Sequence, residues 1–382
     1  MKIVLSGIET NNKGAELMLY AILQEIGNKY PNAEIYLPVF AIKQGLQYIQ
    51  TNLNIKEKPY AKYIRILKKL KFYGVLHHLN IPIYPIYDSR PIKNADYFID
   101  ASGFSFTDQW NHSKFTLDFW QYQLKKYSMQ GTKIIFLPQA FGPANLPNTK
   151  KLLALLSSYA NLIIPREKVS LNYLLTNNVD KNKIKMFTDF TSLIKGTIPS
   201  KYEHLKNSVC IIPNMRMIDK NAISFSDYVN LLSSIIECVE EKGHLVYLLN
   251  HEGIQDEQLA YKCREKLQKR IEVITNINAL EVKGLIASSY LCISSRFHGV
   301  ASALNSAVPC LATSWSHKYE ELFKDYNMSD CVLDLKNISS CLNKVNEFLD
   351  TQKNKEIKNI LLKRIPDIQN ETKEMWEYIW NI

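Results

Sequence analysis

A short segment between a predicted strand and a predicted helix carries residue types that bind and protonate small anions. In Ser294–Gly299, either Ser294 or Ser295 is expected to cap the helix, whose first N–H groups and positive dipole end attract negative charge. Arg296 adds a planar guanidinium suited to a carboxylate or a phosphate, and His298 adds a group that exchanges a proton near neutral pH. A plainer interpretation stays open, in which Arg296 pairs with an acidic neighbour and His298 lies in the core.

Two further positions extend this predicted anion site. Gly299 is expected to let a ligand approach the backbone. Lys318 follows the predicted strand Cys310–Thr313, and the carboxyl ends of parallel strands share one edge of a sheet, so its ammonium is expected near the same ligand. The alternative is that Lys318 is an exposed helix residue.

The composition is that of a globular protein with excess positive charge. The chain has 382 residues, of which 46% are hydrophobic and 22% are charged. This size predicts two domains, and the composition excludes a disordered tail, a collagen-like fibre and a disulfide-stapled miniprotein. The formal net charge is 47 − 37 = +10, which favours an anionic partner such as nucleic acid, a phosphorylated metabolite or an acidic membrane surface.

Cysteine usage and hydropathy predict the compartment. The seven cysteines include no Cys-x-x-Cys pair, which is typical of small apolar core residues in a reducing environment. The apolar run after Met1 is too short for a signal peptide, and no run approaches the roughly 18 apolar residues that a membrane span needs. We expect a soluble cytoplasmic protein.

Short apolar strands alternate with helical patterns along most of the chain, except between about 41 and 90. Strands are predicted at Lys2–Gly7, Glu34–Val39, Asp96–Asp100, Lys133–Leu137, Leu162–Pro165, Lys185–Thr188, Val209–Pro213, His244–Leu249, Glu272–Ile274, Leu291–Ser294, Cys310–Thr313 and Val332–Leu333. This alternation is typical of α/β proteins with doubly wound parallel sheets.

A polar stretch at 193–208 separates two such series. The prediction is therefore two tandem Rossmann-like domains, 1–195 and 196–350, followed by C-terminal helices at 351–382 that pack back on the N-terminal domain. Ligands are expected where strand carboxyl ends face the cleft between the domains.

Several segments, taken in order, resemble the motifs of one known family. The matching segments are Asn12–Glu16, Pro138–Pro143, Arg166-Glu167, Asp189, Arg296-Phe297-His298, Val308-Pro309 and Lys318. They resemble the polysaccharide pyruvyltransferases over about residues 1–330. One departure is Asn214, which stands where an arginine is expected, with Arg216 two residues later.

The resemblance implies a reaction and a fold. The reaction is transfer of the pyruvyl group of phosphoenolpyruvate onto two hydroxyls of a sugar in a surface or capsular polysaccharide, or in its lipid-linked precursor. A ketal forms and phosphate leaves. The implied fold is that of the two-domain GT-B glycosyltransferases, with the donor bound by the C-terminal domain.

The resemblance also implies residues for the two substrates. The expected donor-site residues are Arg216, Ser295, Arg296, His298, Gly299 and Lys318, since a carboxylate and a phosphate together need several cations. The expected acceptor-side residues are Asn12, Gly14, Glu16, Gly103, Gln139 and Asp189.

Catalysis needs an acid for the methylene carbon and a base for the attacking hydroxyl. His298 is expected to be the acid, with Arg296 as its catalytic companion. The base stays open among Glu16, Asp100, Asp189 and Glu252.

No cofactor or metal is expected, and phosphoenolpyruvate is a co-substrate. The sequence has no Asp-x-Asp, no His/Cys cluster with zinc-ligand spacing, no Walker A motif and no Gly-x-Gly-x-x-Gly.

The stretch Tyr60–His78 is basic and aromatic. If it is helical, Tyr63, Leu67, Leu70 and Tyr73 share one face, which suits peripheral contact with the inner face of the cell membrane and a lipid-linked acceptor. The alternative is a helix whose apolar face packs on the sheet.

Two other functions remain open. A glycosyltransferase on the same fold would be stabilised by a nucleotide sugar and not by phosphoenolpyruvate. A basic nucleic-acid-binding protein fits the charge alone. Since its cations are spread along the chain and no nucleic-acid motif occurs, nucleic acid is not an expected partner.

Overall fold

The chain forms two units, each built around a sheet of parallel strands. The computed structural model describes residues 1–37, 53–57, 91–313 and 318–382. The first unit contains Met1–Thr10, Ile22–Asp189 and Glu374–Ile382, and the second contains Asn11–Ala21 and Phe190–Lys373.

The first unit holds a sheet whose order, within the described residues, is β3-β2-β1-β4-β5-β6, with every neighbouring pair parallel. The strands are β1 (Lys2–Ser6), β2 (Glu34–Leu37), β3 (Asn54–Glu57), β4 (Tyr97–Asp100), β5 (Lys133–Gln139) and β6 (Leu162–Pro165). Residues such as Ile3 and Ile135 are fully buried, as expected for strands covered on both faces.

Helices connect these strands. They are α1 (Lys13–Lys29), α2 (Lys114–Met129), α3 (Pro147–Tyr159) and α4 (Lys168–Thr176). Their first turns are fixed by side chains: the Ser113 hydroxyl accepts the Thr116 N–H at 3.2 Å, and the Glu167 carboxylate accepts the Ser170 N–H at 2.9 Å.

The second unit repeats this plan with the order β12-β11-β10-β7-β8-β9, again parallel throughout the described pairs. The strands are β7 (Val209–Ile212), β8 (Val246–Leu249), β9 (Glu272–Ile274), β10 (Leu291–Ser294), β11 (Cys310–Thr313) and β12 (Val332–Leu333). Both orders are the 3-2-1-4-5-6 order of doubly wound folds, which confirms the predicted fold class.

The helices of this half begin with a single turn. They are α5 (Arg216–Asp219), α6 (Phe225–Glu241), α7 (Gly253–Leu267), α8 (Ala279–Ala287), α9 (Phe297–Asn305), α10 (Lys318–Asp325), α11 (Ile338–Leu349) and α12 (Thr351–Trp380). Helix α8 starts with a capping box, in which Asn278 and Glu281 each accept the other's backbone N–H.

The residue ranges of the units differ from the predicted domains in two places. The chain passes from the first unit to the second at Asp189/Phe190, ahead of the predicted boundary at 195/196. Asn11–Ala21, near the N-terminus, groups with the second unit. The C-terminal segment, predicted to pack back on the N-terminal domain, is a single helix, whose Trp380 packs edge-on against Tyr30 and Tyr97 at ring distances of 5.3 and 5.4 Å within the first unit.

Two local predictions also differ. Lys185–Thr188 forms no strand, and only its neighbour Ile184 makes an isolated bridge, to Ile163. Asn54–Glu57 is a strand that periodicity does not reveal. The predicted membrane-contact stretch Tyr60–His78 lies outside the described residues.

All seven cysteines are buried with free thiols. Three of them, Cys210, Cys292 and Cys310, stand side by side on β7, β10 and β11. Within the described parts of the chain, no helix is both long and apolar enough to cross a bilayer.

Candidate functional site

The β10–α9 turn carries the predicted anion-binding segment. Helix α9 is capped by Arg296 and not by a serine. The Ser294 hydroxyl accepts the backbone N–H of Arg296 and donates to the carbonyl of the same residue, both at 3.0 Å. Arg296 therefore leaves the strand in extended conformation and starts helix α9.

Ser295 is enclosed by the protein. Its hydroxyl bonds those of Tyr228 and Thr313, and its carbonyl accepts from Asn214 at 2.8 Å and from Tyr319 at 2.9 Å. Since its N–H also bonds Ile212, all its polar groups have partners. This geometry assigns Ser295 to the support of the turn and gives no support to the predicted contact with a ligand.

The Arg296 guanidinium is held by two carboxylates from the segment after β8. Its Nε donates to Asp256 Oδ2 at 3.0 Å, its Nη2 bonds the same oxygen, and its Nη1 bonds Glu252. Three of the five guanidinium N–H groups are thereby used. This arrangement agrees with the plainer interpretation of the sequence, in which Arg296 pairs with an acidic neighbour.

The two carboxylates differ in access to solvent. The side chain of Asp256 is 1% exposed, whereas that of Glu252 is 26% exposed. Burial raises the pKa of Asp256 to about 7, opposed by the hydrogen bond from the Met215 N–H at 2.8 Å. Burial also disfavours the charged form of Arg296 and lowers its pKa to about 10.

The start of helix α1 is joined to the same segment. Asn12 forms an antiparallel bridge with Glu252, and the Lys13 N–H donates to the His251 carbonyl at 3.1 Å. The Asn12 carboxamide oxygen accepts the N–H groups of Gly14 and Ala15 at 2.8 and 3.3 Å, as a helix cap does.

Gly14 lies against His298. A Cβ at position 14 would overlap the imidazole, and the nearest atom would be Nδ1. On another side, the Phe297 ring meets the imidazole edge-on at 5.3 Å. Two turns from distant parts of the chain thus fix the position of His298.

Glu16 lies in the first turn of α1. Its carboxylate bonds the Lys13 ammonium at 2.7 Å, and only 4% of the residue is exposed. Asn12, Gly14 and Glu16 were predicted to serve the acceptor side in the N-terminal domain. The structure groups them with His298 in the second unit, so their place differs from the expected one, and their acceptor-side role stays a prediction.

His251 completes the cluster, and sequence reasoning missed it. The residue is 3% exposed, and its Nδ1 has no hydrogen-bond partner among the described residues. Burial, reinforced by the positive charges of Arg296, His298 and Lys13, holds the pKa of His251 well below its usual range. The signal that could have found it is its position just after the apolar strand β8.

The remaining predicted donor-site cations lie on α5 and α10. Arg216 has a half-exposed side chain that bonds Asp219 at 3.0 Å, and its charge acts on both Asp256 and Arg296. Lys318 opens α10 with its ammonium 6.0 Å from the centre of the Phe297 ring.

Packing around Gly299 explains why this position has no side chain. A Cβ there would overlap the Ser294 hydroxyl and lie 2.9 Å from Ile212 Cδ1. The glycine therefore lets α9 pack on β7 and β10, and the predicted approach of a ligand does not follow from it.

Three predicted acceptor-side residues lie in the first unit. Gln139 ends β5 fully buried and donates to Asp100 at 3.3 Å, and burial raises the pKa of Asp100. Gly103 has φ of 75° and accepts the Ala140 N–H. Asp189 is 6% exposed and is the last residue of this unit before Phe190.

No group of three or more His, Cys, Asp or Glu side chains in the described segments is arranged to hold a metal ion. The expectation that the protein works without metal or cofactor stays a prediction.

The family model of the polysaccharide pyruvyl transferases matches residues 12–317 of this chain. No curated protein matches the chain significantly.

Solved structures with the same fold are similar over nearly their whole length. A UDP-GlcNAc 2-epimerase from Neisseria meningitidis bound to UDP-GlcNAc is 10% identical, with 100% of both chains covered and a TM-score of 0.63. Anabaena HepE in complex with UDP is 13% identical, with 100% of both chains covered and a TM-score of 0.61. A UDP-GlcNAc 2-epimerase from Methanocaldococcus jannaschii is 12% identical, with 92% of this chain and 94% of that chain covered and a TM-score of 0.55. These likenesses support the GT-B fold.

Proposed function

Because the chain belongs to the polysaccharide pyruvyl transferase family, we propose that it transfers the pyruvyl group of phosphoenolpyruvate onto two hydroxyls of a saccharide as a ketal. The saccharide is a surface or capsular polysaccharide or its lipid-linked precursor. The observation that supports the proposal best is the grouping of His298, Arg296 and Glu252 in the second unit. A proton donor, an anion-binding group and a carboxylate base stand there together.

Donor binding begins with an exchange of partners at Arg296. Asp256 is nearly inaccessible and fixes the plane of the guanidinium through Nε and Nη2. Glu252 is the accessible partner, on Nη1. The donor's phosphate or carboxylate takes the place of Glu252 on Nη1, since an arginine fork suits either anion.

The same exchange releases the base. Once Glu252 has left the guanidinium, its carboxylate can accept the proton of an attacking hydroxyl. Among the four candidate bases, Glu252 is the one that combines a partly exposed side chain with a bond to the predicted anion-binding arginine.

The reaction then proceeds with balanced protons. His298 gives a proton to the methylene carbon, the first hydroxyl oxygen bonds to the central carbon, and Glu252 takes the hydroxyl proton. The carbon–phosphate oxygen bond breaks, and the second hydroxyl attacks and returns a proton to His298. Glu252 passes its proton to the departing phosphate. Of the two hydroxyl protons, one balances the new methyl group and one leaves with phosphate.

Arg216 and Lys318 supply the further cations for the donor. A charge on Arg216 already acts on Arg296, and the exposed pair that it forms with Asp219 is weak enough to rearrange. The acceptor-side roles of Gly103, Gln139 and Asp189 remain predictions.

The test is to incubate the protein with phosphoenolpyruvate and lipid-linked saccharides, scoring phosphate release together with a pyruvyl mass gain on the saccharide. The expected result is equal yields of both products, abolished in His298→Gln. His204→Gln is the matched control, because His204 is half-exposed and bonds only Glu272 among the described residues. Phosphate release without a mass gain would contradict the proposal.

A nucleotide-sugar glycosyltransferase is the competing function, and the fold neighbours named as UDP complexes make it worth a direct comparison. Phosphoenolpyruvate, and not a UDP-sugar, is expected to raise the melting temperature. The opposite result would favour the glycosyltransferase.

A further inference from the structure

His251 occupies the junction between the start of α1 and the β8–α7 segment. Its carbonyl accepts the Lys13 N–H at 3.1 Å, and the next residue, Glu252, forms the bridge to Asn12. These contacts fix the backbone at His251 against the start of α1. Glu252, the residue next to it, also bonds Arg296.

The imidazole is buried without a full set of partners. Only 3% of the residue is exposed, and Nδ1 makes no hydrogen bond with any described residue. Buried polar atoms in native proteins are nearly always paired with protein, water or a ligand, so Nδ1 is open to a partner from outside the protein.

The charges around His251 indicate that the ligand is an anion. Lys13 on α1, and Arg296 and His298 at the start of α9, are the groups whose positive charge acts on His251. The carboxylates are Glu16, Glu252 and Asp256, and they are bonded to Lys13 or Arg296. Burial is the main cause that keeps the His251 ring neutral, and the positive charges of Arg296, His298 and Lys13 add to it.

A small dianion placed here would reverse that balance. Negative charge beside a buried imidazole favours the imidazolium, because an opposite charge within about 4–6 Å stabilises the charged form. The ring would then carry N–H groups on both nitrogens and could donate from Nδ1.

We propose that His251 is a further donor-site residue, which takes up one proton when phosphoenolpyruvate binds and donates its Nδ1–H to the bound anion. The inference rests on the proposed function. The proton comes from solvent on binding and returns to solvent when phosphate leaves, so the overall reaction is unchanged. His251 has a different role from His298, which gives up a proton to the substrate and regains one within each turnover.

The experiment is calorimetric titration of the full-length protein with phosphoenolpyruvate at neutral pH, in phosphate-free buffers of different ionisation enthalpy. The slope of apparent enthalpy against buffer enthalpy counts the protons bound. The wild type is expected to bind close to one proton more than His251→Gln, and the control His204→Gln to match the wild type. Equal proton uptake by wild type and His251→Gln overturns the inference.

A second measurement removes any dependence on how the variant folds. Histidine-labelled wild-type protein is followed by ring-nitrogen NMR while phosphoenolpyruvate is added, with the His251 signal identified by its absence in His251→Gln or His251→Asn. A change of that ring from neutral to cationic supports the inference, and a ring that stays neutral in the saturated complex overturns it.

These outcomes separate the two proposals. If phosphoenolpyruvate binds and is turned over without protonation of His251, only the inference fails. If phosphoenolpyruvate does not bind, the proposed function fails and the inference fails with it.

Discussion

Gly14 and His298 are in direct contact, and the position of the imidazole depends on the absence of a side chain at residue 14. A Cβ there would overlap Nδ1, Cγ and Cβ of His298. The contact joins the first turn of α1 to the first turn of α9 within the second unit. Glycine is therefore required at this position to seat the proposed proton donor.

Replacing Gly14 should impair catalysis more than folding. Gly14→Ala displaces the His298 ring, and a displacement of about 1 Å at a catalytic group can cost about 10²-fold in rate. We expect a loss of about that size in kcat/KM, measured by phosphate release. The matched control is Gly27→Ala on the same helix, where the new Cβ meets Leu53 Cδ2 at an ordinary 3.7 Å. This control should keep full activity and gain about 0.5–1 kcal/mol of stability. Wild-type activity in Gly14→Ala would contradict the role given to the contact.

Removing the buried partner of Arg296 should destabilise the fold. Asp256→Ala removes two hydrogen bonds from a guanidinium that is only 11% exposed and leaves Glu252 as its partner, and removal of one such buried partner costs about 1–3 kcal/mol. Urea unfolding measures the change. Asp219→Ala is the matched control, because it breaks the exposed Arg216–Asp219 pair and should cost about 0–1 kcal/mol. Similar losses in the two variants would show that the buried pair has no special weight.

Glu252→Gln should separate binding from chemistry. The amide cannot accept a proton, so we expect kcat to fall by about 10²–10⁴-fold. The Nη1 group of Arg296 loses a charged competitor, so the KM for phosphoenolpyruvate should stay constant or fall. Steady-state kinetics with varied phosphoenolpyruvate gives both values. A raised KM with unchanged kcat would place Glu252 in binding and would reject it as the base.

The pH dependence of stability should report His251. Its pKa in the folded state lies well below 6.5, so under acidic conditions the unfolded chain binds a proton that the folded chain does not. The contribution of the neutral His251 to the free energy of unfolding is therefore fully present above pH of about 6.5. It falls as the pH decreases, by up to about 1.4 kcal/mol per pH unit. Urea unfolding at pH of about 7.5 and about 5.5 should show a smaller decline in His251→Gln than in the wild type. Parallel declines would mean that His251 titrates normally in the folded protein.

Much of the fold follows from apolar runs in the sequence. Leu162–Pro165, Leu291–Ser294 and Glu272–Ile274 are strands with the predicted bounds. Asn54–Glu57 escapes prediction because Ile55 is its only apolar residue, and its backbone pairing with β2 makes it a strand. Lys185–Thr188 has the right residue types, but it lies beyond the point where Ile184 still pairs.

The site is predicted less completely. The Arg296–His298 turn is recognisable because it follows an apolar strand and opens a helix. The pairing of Arg296 with Asp256, and the burial of His251, depend on how neighbouring strands align, and spacing along the chain does not encode that alignment. The grouping of Gly14 with His298 is likewise a consequence of tertiary contact.

The assignment of Asn11–Ala21 to the second unit limits how this protein can be divided or recombined. A fragment that starts after Asp189 would lack the backbone N–H that bonds the His251 carbonyl and the glycine that seats His298. Chimeras between relatives that exchange donor specificity should therefore carry this short N-terminal stretch along with the C-terminal half, since a single crossover near residue 190 would join turns that did not evolve together.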